Sequence, residues 1–179
     1  MPAALLESTF NRISEIELPV CRFCHRWSTL RVQRFFGFIS RVGDGHYWYV
    51  VLGLLLFFQG SAALPIFGHI AAAGAVCHLL YKFLKRGTAR QRPFAFAAEG
   101  FDLSVSPLDK YSFPSGHTMH AVFFTMVVGA YVPALLVILV PFTCLVAASR
   151  IVLGLHYPTD VAAGAILGAL LAYFSTLIF

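Results

Sequence analysis

From residue 47 onward the sequence is a succession of apolar stretches, and this feature restricts the possible fold more than any other. The stretches lie at residues 47–63, 66–84, 118–132, 134–149 and 161–179. Several are shorter than the roughly 20 residues of an untilted membrane span, but flanking residues can extend them. Only 12% of the 179 residues are charged, whereas roughly a quarter are charged in a soluble domain. The sequence therefore predicts an all-α integral membrane protein with a bundle of about five transmembrane helices.

The first 46 residues differ from the rest because they mix arginines with apolar and aromatic side chains. The arginines make a membrane span unfavourable here: Arg12, Arg22, Arg26, Arg31, Arg34 and Arg41. We expect an amphipathic helical region that lies in the membrane interface with its apolar face toward lipid. Charged residues are spread over residues 1–17 without a continuous apolar stretch, so no signal peptide is expected. The chain thus divides into an interfacial region at 1–46 and a transmembrane domain at 47–179.

Cys21, Cys24 and His25 form the C-x-x-C-H pattern that is typical of haem attachment. The pattern is short enough to arise by chance, and neither a signal peptide nor a distal ligand accompanies it. We therefore expect no haem and no other cofactor. The net charge of +5, combined with the apolar segments, favours anionic headgroups or phosphate substrates as partners, and we expect no nucleic acid.

Three short motifs carry most of the polar chemistry. They are Lys85-x6-Arg92-Pro93, Pro114-Ser115-Gly116-His117, and Ser149-Arg150-x5-His156-x3-Asp160. If all five segments span the membrane, these motifs occupy helix ends on one side of it. The connection at residues 85–115, which also contains Glu99 and Asp102, is long for a small protein, and such loops are usually functional.

The residue types in these motifs suit phosphate chemistry. Lys85, Arg92 and Arg150 are three cations that call for an anion with several oxygens. Ser115 and Gly116 open a helix, where free backbone N–H groups bind phosphate. Pro158 is expected to begin the last helix, which places Asp160 in its first turn.

Two histidines and one carboxylate beside these cations suggest a division of labour. One histidine attacks phosphorus, oriented by the carboxylate, and the other protonates the leaving oxygen. The motifs contain no carboxylate cluster for a metal pair, so we expect a metal-free route.

Together the motifs resemble those of the type-2 phosphatidic acid phosphatase superfamily. The resemblance implies that His156 is the nucleophile and becomes phosphohistidine, that Asp160 orients it, and that His117 is the general acid. It further implies that the phosphoryl oxygens are held by Lys85, Arg92, Arg150, Ser115 and the Gly116 backbone. Many members have six spans, whereas here an arginine-rich segment takes the place of the first.

The expected activity is hydrolysis of a lipid phosphomonoester or diphosphate, such as phosphatidate, phosphatidylglycerol phosphate or a polyprenyl diphosphate. The alternatives are a lipid phosphotransferase and a catalytically silent lipid-phosphate binding protein, and the intact histidines argue against the latter. The bilayer and the phosphorylated lipid are the expected partners, and the sequence leaves the oligomeric state open. The distribution of Lys and Arg favours a cytoplasmic site, but many bacterial relatives place theirs outside the cytoplasm. We favour the inner membrane with the site facing away from the cytoplasm.

Other polar residues have simpler interpretations. Arg86 and Arg90 are expected to be interface anchors. His69 and His78 are expected to be buried and hydrogen-bonded, and Asp44, between two glycines, to be a turn or cap residue. Ser40, Arg41 and His46 imitate the third motif with the wrong spacing, and we expect no role for them.

Overall fold

The computed structural model describes residues 3–97, 100–101 and 109–179. All regular elements in this part of the chain are helical, which confirms the all-α class. The helices are α1 (Ala3–Trp27), α2 (Leu30–Val42), α3 (His46–Gln59), α4 (Leu64–Thr88), α5 (Pro93–Phe96), α6 (Gly116–Tyr131), α7 (Leu136–Val152) and α8 (Pro158–Thr176). Single 3₁₀ turns lie at Gly60–Ala63 and Pro133–Leu135. Glu99 and Asp102, which we assigned to the polar connection, lie outside the described residues.

Each of the five apolar segments contains a helix, namely α3, α4, α6, α7 and α8. Within the described residues, three helical stretches are long and apolar enough to cross a membrane: His46–Phe96, Pro133–Val152 and Pro158–Thr176. The first of these contains both α3 and α4, and α6 has 16 residues. The exact number of five spans therefore stays a prediction.

The helix α6 lies at the centre of the bundle and packs against α4, α7 and α8. Its contact with α8 is close because two glycines of α8 face its backbone. A Cβ atom on Gly164 would lie 2.6 Å from the Ser115 carbonyl oxygen, and one on Gly168 would meet the Met119 carbonyl oxygen. The G-x-x-x-G spacing of this pair in the last apolar segment predicts close helix packing, and the structure confirms it.

The first 46 residues form two helices, and the break between them falls at Ser28 and Thr29. The Thr29 hydroxyl accepts a hydrogen bond from the Val32 N–H, 3.4 Å away, and so caps α2. The second helix ends at Val42, where the predicted glycine-containing break follows. The helix α1 places Ser14, Glu17 and Cys21, which share one face, against the bundle. Its exposed apolar side chains include Ile16, Phe23 and Trp27, as expected for the interfacial placement that stays a prediction.

The histidines of α4 have different environments. His69 is buried, with its ring nitrogens 3.1 Å from the Tyr131 hydroxyl and 2.8 Å from the Ser175 hydroxyl. The prediction for His69 is confirmed. His78 is exposed, so the expectation that it is buried is wrong. Its ring lies beside the rings of Tyr81 and His120.

Candidate active site

The loop between α7 and α8 brings Arg150 and His156 together. The backbone N–H groups of Leu155 and His156 both donate to the Arg150 carbonyl oxygen, each at 3.0 Å. The chain then enters α8 at Pro158, and Asp160 lies in its first turn, as predicted. The Ser115 N–H donates to the Asp160 carbonyl oxygen at 3.0 Å. The second and third motifs are therefore joined through their backbones.

His156 is enclosed, with 1% of its side chain exposed. Its Nε2 atom lies 3.1 Å from Nη1 of Arg92. Because a guanidinium only donates hydrogen bonds, Nε2 must accept, and the proton of the neutral ring is on Nδ1. The Nδ1 atom faces Oδ2 of Asp160 at 3.5 Å, which is longer than a good hydrogen bond.

The protonation state of His156 follows from its surroundings. Burial lowers the pKa of His156 well below 6.5, and the charges of Arg92, Arg150, Lys85 and His117 act in the same direction. The ring is therefore neutral at neutral pH. Its Nε2 atom carries a lone pair that points to the cations, as a nucleophile for an anionic phosphoryl group requires.

Two of the three predicted cations lack a carboxylate partner within the described residues. Arg92 donates from Nε to the Asp109 carbonyl oxygen at 2.9 Å and from Nη1 to the Leu155 carbonyl oxygen at 2.7 Å. Arg150 contacts the Ser40 hydroxyl, and its Nε has no hydrogen-bond partner in the described part of the chain. Both guanidinium groups are buried. Buried positive charge of this kind favours a bound anion.

Lys85 differs because it has an acidic partner. Its Nζ lies 2.8 Å from Oδ2 of Asp109 and 2.9 Å from the Tyr81 hydroxyl. Asp109 precedes the second motif and lies in the connection at residues 85–115. Its carboxylate takes the place beside Lys85 that a phosphoryl oxygen could occupy.

His117 lies at the edge of the site, with 12% of its side chain exposed. Its Nε2 contacts Oδ1 of Asp44, a residue for which we expected only a turn or cap role. Ser115 occupies the N-cap position of α6, as predicted, but its hydroxyl lies 3.0 Å from the Thr118 hydroxyl and makes no capping bond. Gly116 is buried against Tyr81, and a Cβ atom there would lie 2.5 Å from the Tyr81 ring.

The interpretation of Arg90 as an interface anchor is wrong. Its side chain is 1% exposed, and Nη1 donates to Oδ1 of Asp160 at 2.6 Å. Its Nη2 donates to Oε2 of Glu17 at 2.9 Å. Arg86 is exposed, as expected of an anchor. The two arginines differ because the chain turns inward after α4 ends at Thr88.

A cavity of about 470 Å³ opens beside His117, between α3, α4 and α6. Its polar lining includes Asp44, Lys82, Asp109 and the imidazoles of His78, His117 and His120. Its apolar lining is formed by Trp48, Leu52 and Phe124. Among the described residues that line this cavity, His156 is absent. The cavity thus reaches the site from the His117 side, and its lining combines polar and apolar side chains.

Several residues of the site gave no sequence signal. Asp44 and Ser40 reach it from the α2–α3 turn and α2, and Glu17 belongs to α1. Asp44 and Glu17 lie in no recognisable motif. Ser40 belongs to the imitation of the third motif, for which we expected no role, and its contact with Arg150 shows that this expectation is wrong for Ser40. Helix packing alone brings each of the three to the site. In the sequence, only the position of Arg90, two residues before Arg92, indicates that both side chains point into the protein.

The C-x-x-C-H pattern of α1 packs next to the backbone of His156. The Cys21 thiol is buried, with its Sγ 3.9 Å from the His156 carbonyl oxygen. Burial and the nearby Glu17 raise the pKa of Cys21 to about 12, so the thiol stays protonated and unreactive. Among the described residues, no group of three or more His, Cys, Asp and Glu side chains is arranged to hold a metal ion.

These features define a multi-pass helical membrane protein with a cluster of buried cations at its helix ends. A family model identifies the chain more narrowly, because that of the PAP2 superfamily matches residues 62–179. The chain therefore belongs to the PAP2 superfamily. The match includes all three motifs and excludes α1, α2 and α3.

Similar proteins act on phosphorylated lipids. The chain is 32% identical over 139 residues to an undecaprenyl-diphosphatase of Sulfolobus acidocaldarius, covering 77% of this chain and 66% of that protein. It is 38% identical over 136 residues to decaprenylphosphoryl-5-phosphoribose phosphatase of Mycobacterium tuberculosis, covering 73% and 71% respectively. The chain thus spans about two thirds of the length of these relatives.

Among solved structures, the fold is similar to that of the transmembrane PAP2-type phosphatidylglycerolphosphate phosphatase of Bacillus subtilis. The TM-score is 0.74, with 98% of this chain and 91% of that chain covered at 23% identity. At this level of identity the similarity bears on the fold alone. It supports a membrane-embedded helical bundle.

Proposed function

We propose that the protein is a membrane phosphatase that hydrolyses a lipid phosphate through a phosphohistidine on His156. The observation that carries this proposal is the enclosed Nε2 atom of His156, which lies 3.1 Å from Nη1 of Arg92. The charges of Arg92 and Arg150 both act on the imidazole, and neither guanidinium has a carboxylate partner among the described residues. A neutral imidazole in this position is a nucleophile, and the guanidinium groups are ready to bind the oxygens of a phosphoryl group.

In the first step, the Nε2 lone pair of His156 forms a bond to phosphorus. The bond from phosphorus to the leaving oxygen breaks, and its electron pair stays on that oxygen, which takes a proton from protonated His117. Arg92, Arg150 and Lys85, with the backbone at Ser115 and Gly116, hold the phosphoryl oxygens. The His156 proton on Nδ1 remains there and faces Asp160.

In the second step, water attacks the phosphohistidine. His117, now neutral, takes one proton from the attacking water while its oxygen bonds to phosphorus. The bond between nitrogen and phosphorus breaks, its electron pair returns to Nε2, and inorganic phosphate leaves. Protonated His117 and neutral His156 are restored, so the cycle is balanced and consumes one water. Burial and the charge of Arg150 lower the pKa of His117 to about 4, and the contact with Asp44 opposes this shift. The negative charge of a bound phosphoryl group also opposes it and favours the protonated form that the first step requires.

The cavity supports a lipid as the substrate. It begins at His117, which donates to the leaving group, and it continues along apolar side chains of α3 and α6. A leaving group with an apolar chain can therefore extend from the site between these helices. Both curated relatives carry polyprenyl substrates in their names. Among the three expected lipid classes, this favours a polyprenyl phosphate or diphosphate.

We further propose that the protein lies in the inner membrane with the site facing away from the cytoplasm. Under this orientation and with five spans, the end of α8 faces the cytoplasm. A reporter fused to the C-terminus should then be active only if it functions in the cytoplasm. Activity of a reporter that functions only outside would reverse the orientation.

The function is tested with the full chain in detergent and a panel of a polyprenyl diphosphate, phosphatidate and phosphatidylglycerol phosphate. Phosphate release is measured without an acceptor, with and without EDTA, for the natural protein, for His156→Ala and for His46→Ala. His46 is exposed and does not line the cavity, so it is the matched control. We expect release that survives EDTA, persists in His46→Ala and is lost in His156→Ala. Release only with an added lipid acceptor would indicate phosphotransfer instead.

A further inference from the structure

A continuous chain of ion pairs connects α1 with the carboxylate beside His156. The guanidinium of Arg90 lies in the middle, with Nη2 2.9 Å from Oε2 of Glu17 and Nη1 2.6 Å from Oδ1 of Asp160. The exposed fractions of these side chains are 1% for Arg90, 0% for Asp160 and 11% for Glu17. Charges this deeply buried interact strongly because water screens them little.

Arg90 is fixed in this position from several directions. Its Nε and Nη2 donate to the Ser14 hydroxyl, each at 3.2 Å. Its guanidinium lies over the Tyr157 ring, 4.0 Å from the ring centre. These contacts direct the guanidinium to Asp160 and Glu17. Arg90 therefore has carboxylate partners, whereas Arg92 and Arg150 have none within the described residues.

Glu17 also binds the first turn of α8. Its Oε1 accepts from the Thr159 N–H at 2.7 Å, and its Oε2 accepts from the Thr159 hydroxyl at 2.6 Å. The helix α8 begins at Pro158 and presents free N–H groups there. A carboxylate from α1 therefore stabilises the start of the helix that carries Asp160.

The two oxygens of Asp160 have separate partners. Oδ1 accepts from Arg90, and Oδ2 accepts from the Tyr157 N–H at 2.9 Å while facing Nδ1 of His156 at 3.5 Å. Arg90 thus fixes the rotation of the carboxylate and compensates its buried charge. An ionised and oriented Asp160 keeps the His156 proton on Nδ1, so that Nε2 keeps its lone pair.

We propose that Glu17 and Arg90 are positioning residues of the active site, which act through Asp160 to hold His156 in its nucleophilic tautomer. This inference rests on the role proposed above for His156. It extends the active site to α1, which lies outside the residues that the family model matches. The other charged groups that act on His156 are Arg92, Arg150, Lys85 and His117, and they are unchanged in the variants below.

The direct test is ¹⁵N NMR of histidine-labelled full-length protein in detergent, with the His156 resonances assigned by their loss in His156→Asn. Arg90→Gln removes the cation that keeps Asp160 ionised and oriented, so the Nδ1–H tautomer of His156 should decrease and its pKa should change. Glu17→Gln removes a negative charge and should lower that pKa further. Arg86→Gln, at the end of α4, and Glu15→Gln, on α1, change exposed charges close in sequence to Arg90 and Glu17 and should leave both readouts unchanged.

The NMR readout needs no turnover, so it separates this inference from the proposed function. An unchanged pKa and tautomer of His156 in folded Arg90→Gln or folded Glu17→Gln would overturn the inference. If Arg90→Gln does not fold, the NMR result for Glu17→Gln alone decides the inference, because this substitution keeps the size of the side chain.

Kinetics provide a second readout. Arg90→Gln should lower kcat by about 10²-fold or more and change KM by less than about threefold, because Arg90 does not touch the substrate. Arg90→Lys keeps the charge and should recover part of kcat. A rise of KM with unchanged kcat would contradict the positioning role. Absence of phosphate release from the natural protein would count against the proposed function, and the NMR result would still decide the inference.

Discussion

His156 and His117 lie at the same end of the bundle, yet their surroundings differ in almost every respect. The His156 side chain is 1% exposed and is bounded by Arg92 and Asp160, whereas the His117 side chain is 12% exposed and lines a cavity. Burial and the nearby cations keep His156 neutral, and His117 contacts the carboxylate of Asp44. One histidine is thus surrounded by protein, and the other faces the space where a substrate enters.

The difference assigns separate roles to two chemically identical side chains. An enclosed neutral imidazole with a fixed tautomer suits attack on phosphorus, which should be needed for every substrate. An imidazole beside a carboxylate and a cavity suits proton transfer to the leaving group. The extent to which the reaction needs this proton depends on the leaving group. Variants on the two sides should therefore respond differently when the leaving group is changed.

The largest effect among the variants on the His117 side is expected for His117→Asn. With a lipid phosphomonoester, kcat should fall by about 10²- to 10⁴-fold because the leaving alkoxide is no longer protonated. With p-nitrophenyl phosphate, whose leaving group needs little protonation, the first step should be nearly unaffected, so a burst of nitrophenol should precede slow turnover. The measurement is rapid-mixing absorbance. Equal losses in the first step for both substrates would remove the distinction between the histidines.

On the His156 side, Arg150→Gln should lower kcat/KM by about 10²- to 10³-fold. A buried charge that binds the phosphoryl group is lost, so the defect should be the same for lipid and nitrophenyl substrates. Arg86→Gln, an exposed change at the end of α4, is the matched control and should retain activity. The assay is phosphate release from both substrates. A defect limited to the lipid would place Arg150 with the leaving group instead.

A smaller effect is expected for Asp44→Asn, because Asp44 acts only through His117. The loss of its charge should lower kcat with lipid substrates by about tenfold, with little change for p-nitrophenyl phosphate. Steady-state kinetics with both substrates check this. Equal defects would indicate that Asp44 binds the phosphoryl group or supports the fold.

The smallest expected effect concerns pH. The pKa of His156 lies well below 6.5, so the nucleophile stays neutral until the pH falls below that value. Because kcat/KM reports the free enzyme, the loss of activity due to protonation of His156 should begin only below pH 6.5. The pH profile of kcat/KM with p-nitrophenyl phosphate measures it. An acidic limb at or above pH 6.5 assigned to His156 would show that the site is more hydrated than the structure indicates.

The sequence predicted the parts of the molecule that depend on local pattern. Apolar length and spacing indicated the helices, Pro158 marked the start of α8, and the Gly164–Gly168 pair indicated the close contact with α6. The convergence of Arg92, His156 and Asp160 also followed from helix order, because the ends of successive spans alternate between the two sides of a membrane.

The partners of these residues could not be predicted in the same way. Asp44, Glu17 and Ser40 reach the site from the first 46 residues, and their positions depend on how α1 and α2 pack on α7 and α8. Arg90 resembled a surface anchor because many basic residues at span ends are anchors. Only the fold shows that the chain turns it inward, toward a carboxylate of α1 and a carboxylate of α8.

The central claim is that His156 carries the phosphoryl group, and trapping that intermediate tests it most directly. His117→Asn should be mixed with p-nitrophenyl phosphate, quenched in alkaline denaturant after milliseconds to seconds, digested, and examined by mass spectrometry. The account predicts acid-labile, alkali-stable phosphate on His156 that accumulates in this variant and is absent when His156 is also replaced by Asn. Nitrophenol release at the same rate without phosphate on His156, or in the absence of its imidazole, would contradict the account.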